Sequence, residues 1–176
     1  MKLSELMAEV ELLPSFKGVV TADDFVLAVG FTGEGTDPND YLVAQDGITE
    51  HSGTTSAKTT ENTYIRSGTQ TTKTGTTRAF NLTGDRFSGD PFQDALLAHE
   101  IKYGTGQAVI KPYVYFNMIT GVGEQGELSI VIDEDPNGAA GANAGFKATL
   151  SAKGTPKPYA YTKASAAAAK ASIKTS

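Results

Sequence analysis

An all-β-dominated fold, a β-sandwich or half-barrel with one flanking α-helix, is predicted by three observations. The 176 residues carry 19 glycines and a high share of threonine, a composition of strands and tight turns rather than of helix bundles. Runs of β-branched and aromatic residues recur in pairs around polar turns, as hairpins do. Only residues 84–104, GDRFSGDPFQDALLAHEIKYG, gather several independent helix signals. The length suits one domain with a sizeable core. Residues 1–158 are taken as a single domain that includes an N-terminal segment, 1–17, and a long loop, 32–60. Residues 159–176 are expected to be a flexible or bridging C-terminal arm.

Taken in order, residues 3–13 place Leu3, Leu6, Met7, Val10 and Leu13 on one helical side with Glu5 and Glu9 away from it, which fits a short amphipathic helix or a docked arm. After Pro14, residues 18–31 read as a strand or a bent pair, with a turn or bulge at Asp23 and Asp24. Residues 32–60 are dense in turn formers, with Tyr41, Leu42, Val43 and Ile48 as apolar relief. A loop of that length inside a domain is uncommon, so it is expected to be mobile in a free subunit and to order against a partner, as is the tail from Tyr159. Residues 61–70 and 76–83 predict a hairpin turning at TTKTG, with one wet face.

The helix follows. Asp90 suits the N-cap, Pro91 the first turn, and Gly104 a left-handed closing residue. Phe92, Ala95, Leu96, His99 and Tyr103 share one side, which makes His99 a core histidine. Leu97 and Ile101 fall on the opposite side and need a second cover. Residues 106–119 give the strongest strand signal. They turn at TGVGEQG into a return strand in which Leu128, Ile130 and Ile132 face the core, and Glu127, Ser129, Val131 and Asp133 face water or a channel. A turn-rich connection and a last strand at 146–154 complete the domain.

Composition excludes several function classes. With no cysteine and only His51 and His99, disulfides and thiolate or histidine-rich metal sites are ruled out, and no cofactor is expected. No stretch approaches the ~20 apolar residues of a membrane helix, and the start, with three glutamates, lacks the apolar run of a secretory signal, so cytoplasmic synthesis is expected. A formal charge of -5 opposes a surface that grips nucleic acid. Gly121, Gly123 and Gly126 have dinucleotide-loop spacing but lead into a strand, which makes them a hairpin turn. Asp133, Asp135, Asn137 and Gly138 open like a calcium loop, but Ala144 stands where the bidentate Glu belongs. No nucleophile elbow or facing carboxylate pair supports an enzyme.

The run RSGTQTTKTGTTRAFNLTGDRFSGDPFQDALLAHEIKYGTGQAVIKPYVYFN, followed by GELSIVID and FKATLSAKG, resembles the major tail tube protein of long, non-contractile-tailed bacteriophages (siphophages) of the Bacillus type. The resemblance implies a structural virion protein made in the host cytoplasm, whose six-membered rings stack into a tube for DNA. It also implies hairpins that join one shared barrel, and partners that include other copies, a tape measure protein and tube-end proteins, with DNA passing unbound. Six chains of -5 carry 6 × (-5) = -30 per ring, and any share lining the bore repels phosphate.

Glu124, Glu127, Asp133, Glu134 and Asp135 are the candidate channel-lining or rim carboxylates, with an outward acidic turn as the alternative. Leu97, Ile101, Tyr41, Leu42, Val43 and Ile48 are the candidate inter-subunit contacts, although the N-terminal segment could equally cover Leu97 and Ile101. The competing reading is a ligand- or carbohydrate-binding β-sandwich surface module that presents Tyr113 and Tyr115.

Overall fold

The computed structural model describes residues 1–31 and 37–163. Its strands are β1 (Phe25–Val29), β2 (Leu42–Val43), β3 (Ile48–Tyr64), β4 (Gly68–Asp85), β5 (Ile110–Asn117), β6 (Val122–Asn137), β7 (Gly145–Ala152) and β8 (Lys157–Ala160). Three short helices accompany them: α1 (Leu3–Leu6), α2 (Pro91–Leu96) and α3 (His99–Lys102). All pairings are antiparallel and run in the order β2-β1-β5-β6-β7-β4-β3, with β8 added to β6.

β6 is the strand on which the sheet turns. Its first half pairs with β5, from Phe116↔Gly123 to Ile110↔Ser129, and its second half pairs with β7, from Leu128↔Ala152 to Asn137↔Gly145. The two ends of the sheet thereby face each other. Leu27 and Val29 of β1 share one core with Phe80 and Leu82 of β4, Leu128 and Ile130 of β6, and Phe146 and Leu150 of β7. At about 2 kcal/mol for each fully buried large apolar side chain, this cluster is the main favourable term of the fold.

The run FVLAV in β1 is apolar without alternation because both of its faces are covered. Val26 and Ala28 point away from the main core into a second cluster with Leu3, Met7, Tyr41, Val43, Val114, Phe116 and Tyr161. The N-terminal segment and the chain beyond β8 therefore close the outer face of the β1–β5 layer. Leu3 N donates to Tyr41 O at 2.8 Å, and Tyr161 N donates to Gly121 O at 2.7 Å.

That docking places Tyr159, Ala160 and Tyr161, the start of the expected flexible or bridging arm, on the sandwich itself. Pairing runs to Val122↔Ala160, and the Tyr161 ring stacks on Phe116 with centroids 5.6 Å apart. The remainder of that predicted arm, 164–176, lies outside the described residues. Burial raises the Tyr159 hydroxyl to about 12, with Tyr161 adding to the effect, and it raises Tyr161 as well. A tyrosine raised above its ordinary value of ~10 stabilises the fold fully below that pH, and the contribution fades as pH climbs toward the folded value. We expect the urea midpoint to fall between about pH 10 and 12, in step with tyrosinate absorbance. A midpoint that stays level across that range would exclude this account.

The flanking helix is in fact two short ones. Asp90 caps the first as expected, accepting from Gln93 N at 2.8 Å, with Pro91 in the first turn. The chain then breaks at Ala98, whose backbone is extended (φ -60, ψ 148). The break resolves the problem of two apolar sides: it turns Ile101 toward the core that already holds Phe92 and Leu96, and Leu97 packs against it. His99 is correspondingly exposed and lies against the exposed Tyr103 ring, centroids 4.8 Å apart, rather than in the core. Gly104 does not adopt a left-handed backbone; it is small because a Cβ there would strike the Glu100 carbonyl oxygen.

Gln93 ties this helix to the sheet. Fully buried, it donates through Nε2 to Asp46 O at 2.6 Å and Asp85 O at 3.0 Å, and it accepts from Phe87 N at 2.8 Å. It thus satisfies backbone carbonyls at the end of β4 and before β3.

Candidate functional site

The most prominent feature is a two-stranded arm. About half of the predicted loop at 32–60 is strand, β2 and then β3 from Ile48 onward, while 32–36 lie outside the described residues. The hairpin turns at Ile65, Arg66 and Ser67, between the Tyr64↔Gly68 pair, and TTKTG lies inside β4 instead of at the turn. β4 pairs with β7 only from Ala79 to Asp85. Beyond it, the ten pairs from Thr55↔Arg78 to Tyr64↔Gly68 have each other alone. At about 3.3 Å per residue the arm extends roughly 30 Å from the sandwich.

Both faces of this ribbon are exposed, and its side chains are chiefly threonine. Threonine favours extended backbone, and the hydroxyls add cross-strand links, such as Thr63 to Thr69 at 3.0 Å. A two-stranded ribbon is at best marginal alone in water. The outer edge of β3, all 17 residues of it, has no partner among the described strands. Such an edge is a template for pairing with another chain.

The face of β6, β7, β4 and β3 opposite the core is rich in small polar side chains, interrupted by Val131 and by Lys147 with its partner Glu134. The register sets Val131, Thr149, Asn81 and Ser52 in one row, and Ser129, Ser151, Ala79 and Thr54 in the next. The sequence placed Ser129, Val131 and Asp133 on the side away from Leu128 and Ile130, and the burial pattern agrees. The hydroxyl character of the whole face was not apparent, because it emerges only when four strands are aligned.

Where the arm leaves the sandwich, Arg78 is held by three neighbours. Its Nε donates to Glu124 Oε1 at 2.6 Å, and the guanidinium lies 4.2 Å over the Phe80 ring and 5.3 Å from that of Tyr115. The Tyr113 hydroxyl donates to the same carboxylate oxygen at 3.3 Å. Burial, then the Glu124 charge, pushes the Tyr113 hydroxyl well above the usual tyrosine range.

Each predicted lining carboxylate has a partner. Besides Glu124 with Arg78, Glu127 meets Lys153 at 3.2 Å, Glu134 meets Lys147 at 2.6 Å, and Asp135 meets Lys102, while Asp133 accepts from the Thr149 hydroxyl at 2.6 Å. The pairing raises Lys147 and Lys102 above the ordinary lysine value, chiefly through these hydrogen bonds. The carboxylates therefore do not form a bare negative row, and Asp133 and Asp135 reach toward different partners rather than toward a shared ion.

The predicted contact residues are mostly occupied within the chain. Tyr41 and Val43 lie in the second core under the N-terminal segment, Ile101 is 6% exposed in the main core, and Leu42, Ile48 and Leu97 pack against that core. Satisfying the chain's own cores leaves these six little free surface. Tyr113, 1% exposed, and Tyr115, stacked on Phe25 at 5.6 Å, likewise lose the role of a glycan platform. The apolar side chains that do face solvent include Tyr64 and Ile65 at the arm tip, and Leu13, Phe16 and Val19 in the N-terminal segment. The sequence alone does not reveal the tip, because TYIRSG reads as the interior of a strand.

With this geometry described, comparison with solved structures is informative. A chain of the virion of a native gene transfer agent particle superposes with a TM-score of 0.58 at 13% identity, covering 81% of this chain and 100% of that one. A chain from the tail of an empty gene transfer agent particle, solved with C6 symmetry, gives 0.59 at 15% identity with the same coverage. A chain of the cap that terminates the anti-feeding prophage tube gives 0.51 at 11% identity, over 84% of this chain and 95% of that one. The fold is of the tail-tube type. No protein-family model matches the sequence, and no curated protein matches it either. At such identities the likeness is one of architecture: a mostly antiparallel sheet with a few short helices.

Proposed function

We propose that this protein is the structural subunit of a phage-type tail tube, of the long, non-contractile kind, and that it acts by self-assembly rather than by catalysis. The observation that carries the reading is the arm: a roughly 30 Å ribbon with no core of its own, attached to a sandwich that is otherwise complete. A ribbon of that kind gains its stability from neighbours, and the unpaired edge of β3 supplies the backbone groups to recruit them.

In this reading six copies form a ring, as the C6 symmetry of one structural neighbour suggests. β3 of each copy meets the sheet of the next, so that β3, β4, β7 and β6 contribute four strands per subunit to a closed barrel, which leaves no open edge. Their outer face, rowed with Ser, Thr and Asn, becomes the wall of the bore. DNA passes because the hydroxyls of that face carry no charge and its Lys147 is held by Glu134, while the ring's net -30, from 6 × (-5), keeps phosphate off the wall within the ~10 Å over which charge acts at moderate salt. Tape measure and tube-end proteins are the expected partners inside the bore and at its ends, and the virion tail is the expected location.

Negative-stain electron microscopy of the concentrated protein tests this. Hollow filaments with six-fold end views are expected. Protein that stays monomeric at every concentration and salt would refute the proposal.

A further inference from the structure

The arm tip and a cavity at the arm's root are complementary, and the geometry points to a head-to-tail contact in which Tyr64, Ile65 and Arg66 of one copy seat in the cavity beneath β1 of the next. This inference rests on the tail-tube reading and names the partner surface of its arm. The tip is unusual in three ways. Ile65 is 94% exposed and Tyr64 51% exposed, at the end of an otherwise polar ribbon. Arg66, between them and Gly68, has a left-handed backbone (φ 73), where asparagine or glycine rests more comfortably. A non-glycine residue kept in that region points to a use for its side chain.

The cavity, about 280 Å³, is lined by Phe25, Val26, Val43, Ile48 and Met118, together with the exposed Asp23. It is apolar and large enough for an aliphatic side chain. Asp23 is exposed and makes no ion pair among the described residues, and neither does Arg66. Charge favours the same match on a larger scale. Residues 54–77 hold Lys58, Arg66 and Lys73 against Glu61, a net of +2, so the rest of the chain carries -5 - 2 = -7.

The occupant cannot be the same copy. Ile48 and His51 line the cavity at the start of β3, and Ile65 follows its end, so tip and socket are separated by about 45 Å of extended chain. A plug and socket at opposite ends of one strand make a heterologous contact, which repeats from copy to copy and yields a ring where the rotation closes and a filament where it does not. The basic arm is then covered by an acidic neighbour.

Charge reversal and cross-linking test the contact. Ile65→Ser and Arg66→Asp are each expected to raise the critical concentration for polymerisation about tenfold or more, without change in the monomer's thermal midpoint. Asp23→Arg combined with Arg66→Asp should recover most of the loss. Because the chain has no cysteine, Ile65→Cys with Met118→Cys should give a ladder of covalent oligomers on oxidation, longer than the dimers of either single variant. Wild-type tubes together with unaffected tip variants and no ladder would overturn the contact while leaving the tail-tube reading intact. A wild type that never polymerises would overturn both.

Discussion

Replacing residues 58–75 with Asn-Gly yields a protein that folds as well as the wild type and forms no tubes. The excision leaves β3 and β4 joined at the Ala57↔Thr76 pair, and Asn-Gly supplies the two-residue turn whose twist matches an antiparallel hairpin. Nothing in the excised segment is buried, and its recorded side-chain hydrogen bonds are made within the arm. The core clusters and the Arg78 cradle remain, because each of their members lies outside 58–75. The stability change should stay within about 0.5 kcal/mol, the range of surface substitutions away from special features. Loss of polymer should be complete, since the excision removes the outer seven of the 17 residues of the β3 edge and the entire tip. Circular dichroism and thermal melting report the fold, and sedimentation with electron microscopy reports assembly. Tubes formed by the shortened chain would show that the arm is dispensable, and an unfolded chain would show that it belongs to the monomer's core.

Much of the sandwich was legible because its strands obey simple patterns. β7 carries the alternation of a half-buried sheet, β5 the dense apolar run of a strand covered on both faces, and Leu128, Ile130 and Ile132 point to the core side as their spacing requires. Gly121 is a turn residue (φ 74), and Gly123 follows within β6, where a Cβ would strike the backbone of β5, so the glycine spacing belongs to a hairpin. The Asp90-Pro91 start of the helix was equally plain, since capping depends only on neighbours in sequence.

The arm was obscure for the opposite reason. Periodicity marks a strand by the contrast between a buried and a wet face, and residues 53–76 have two wet faces. Only the threonine content signalled extended backbone, and the same threonines and glycines read as loop. The break at Ala98 was likewise invisible, because it follows from the need to bring Ile101 and Leu96 into one core, a tertiary demand. The docking of Tyr159 and Tyr161 depends on Phe116, more than forty residues earlier. In each case the missing information was a partner distant in sequence.

Truncating Glu124 to alanine should destabilise the monomer more than any other change among the five acidic residues first assigned to the channel. Arg78 is the more enclosed partner, its side chain 12% exposed against 28% for Glu124. Removing the carboxylate leaves a guanidinium that has lost its counter-charge but keeps the Phe80 and Tyr115 rings, and it leaves the Tyr113 hydroxyl without its acceptor. Breaking a fully buried pair from one side costs 3–5 kcal/mol; the partial exposure here lowers the expectation to about 2 kcal/mol, or roughly 4–8 °C in thermal midpoint for a chain of this length. Arg78→Met with Glu124→Met removes both charges and should cost less than the sum of the single changes, a coupling of about 1 kcal/mol or more in a double-mutant cycle. Glu127→Ala, whose pair with Lys153 is half exposed on both sides, should change stability by less than about 0.5 kcal/mol. Equal effects at Glu124 and Glu127 would mean that the cradle at the root of the arm is an ordinary surface pair. Additive single changes at Arg78 and Glu124 would mean that the two act independently. The expected coupling instead fixes the direction in which the arm leaves the sandwich, so Glu124→Ala should also weaken assembly at temperatures where the monomer is still folded.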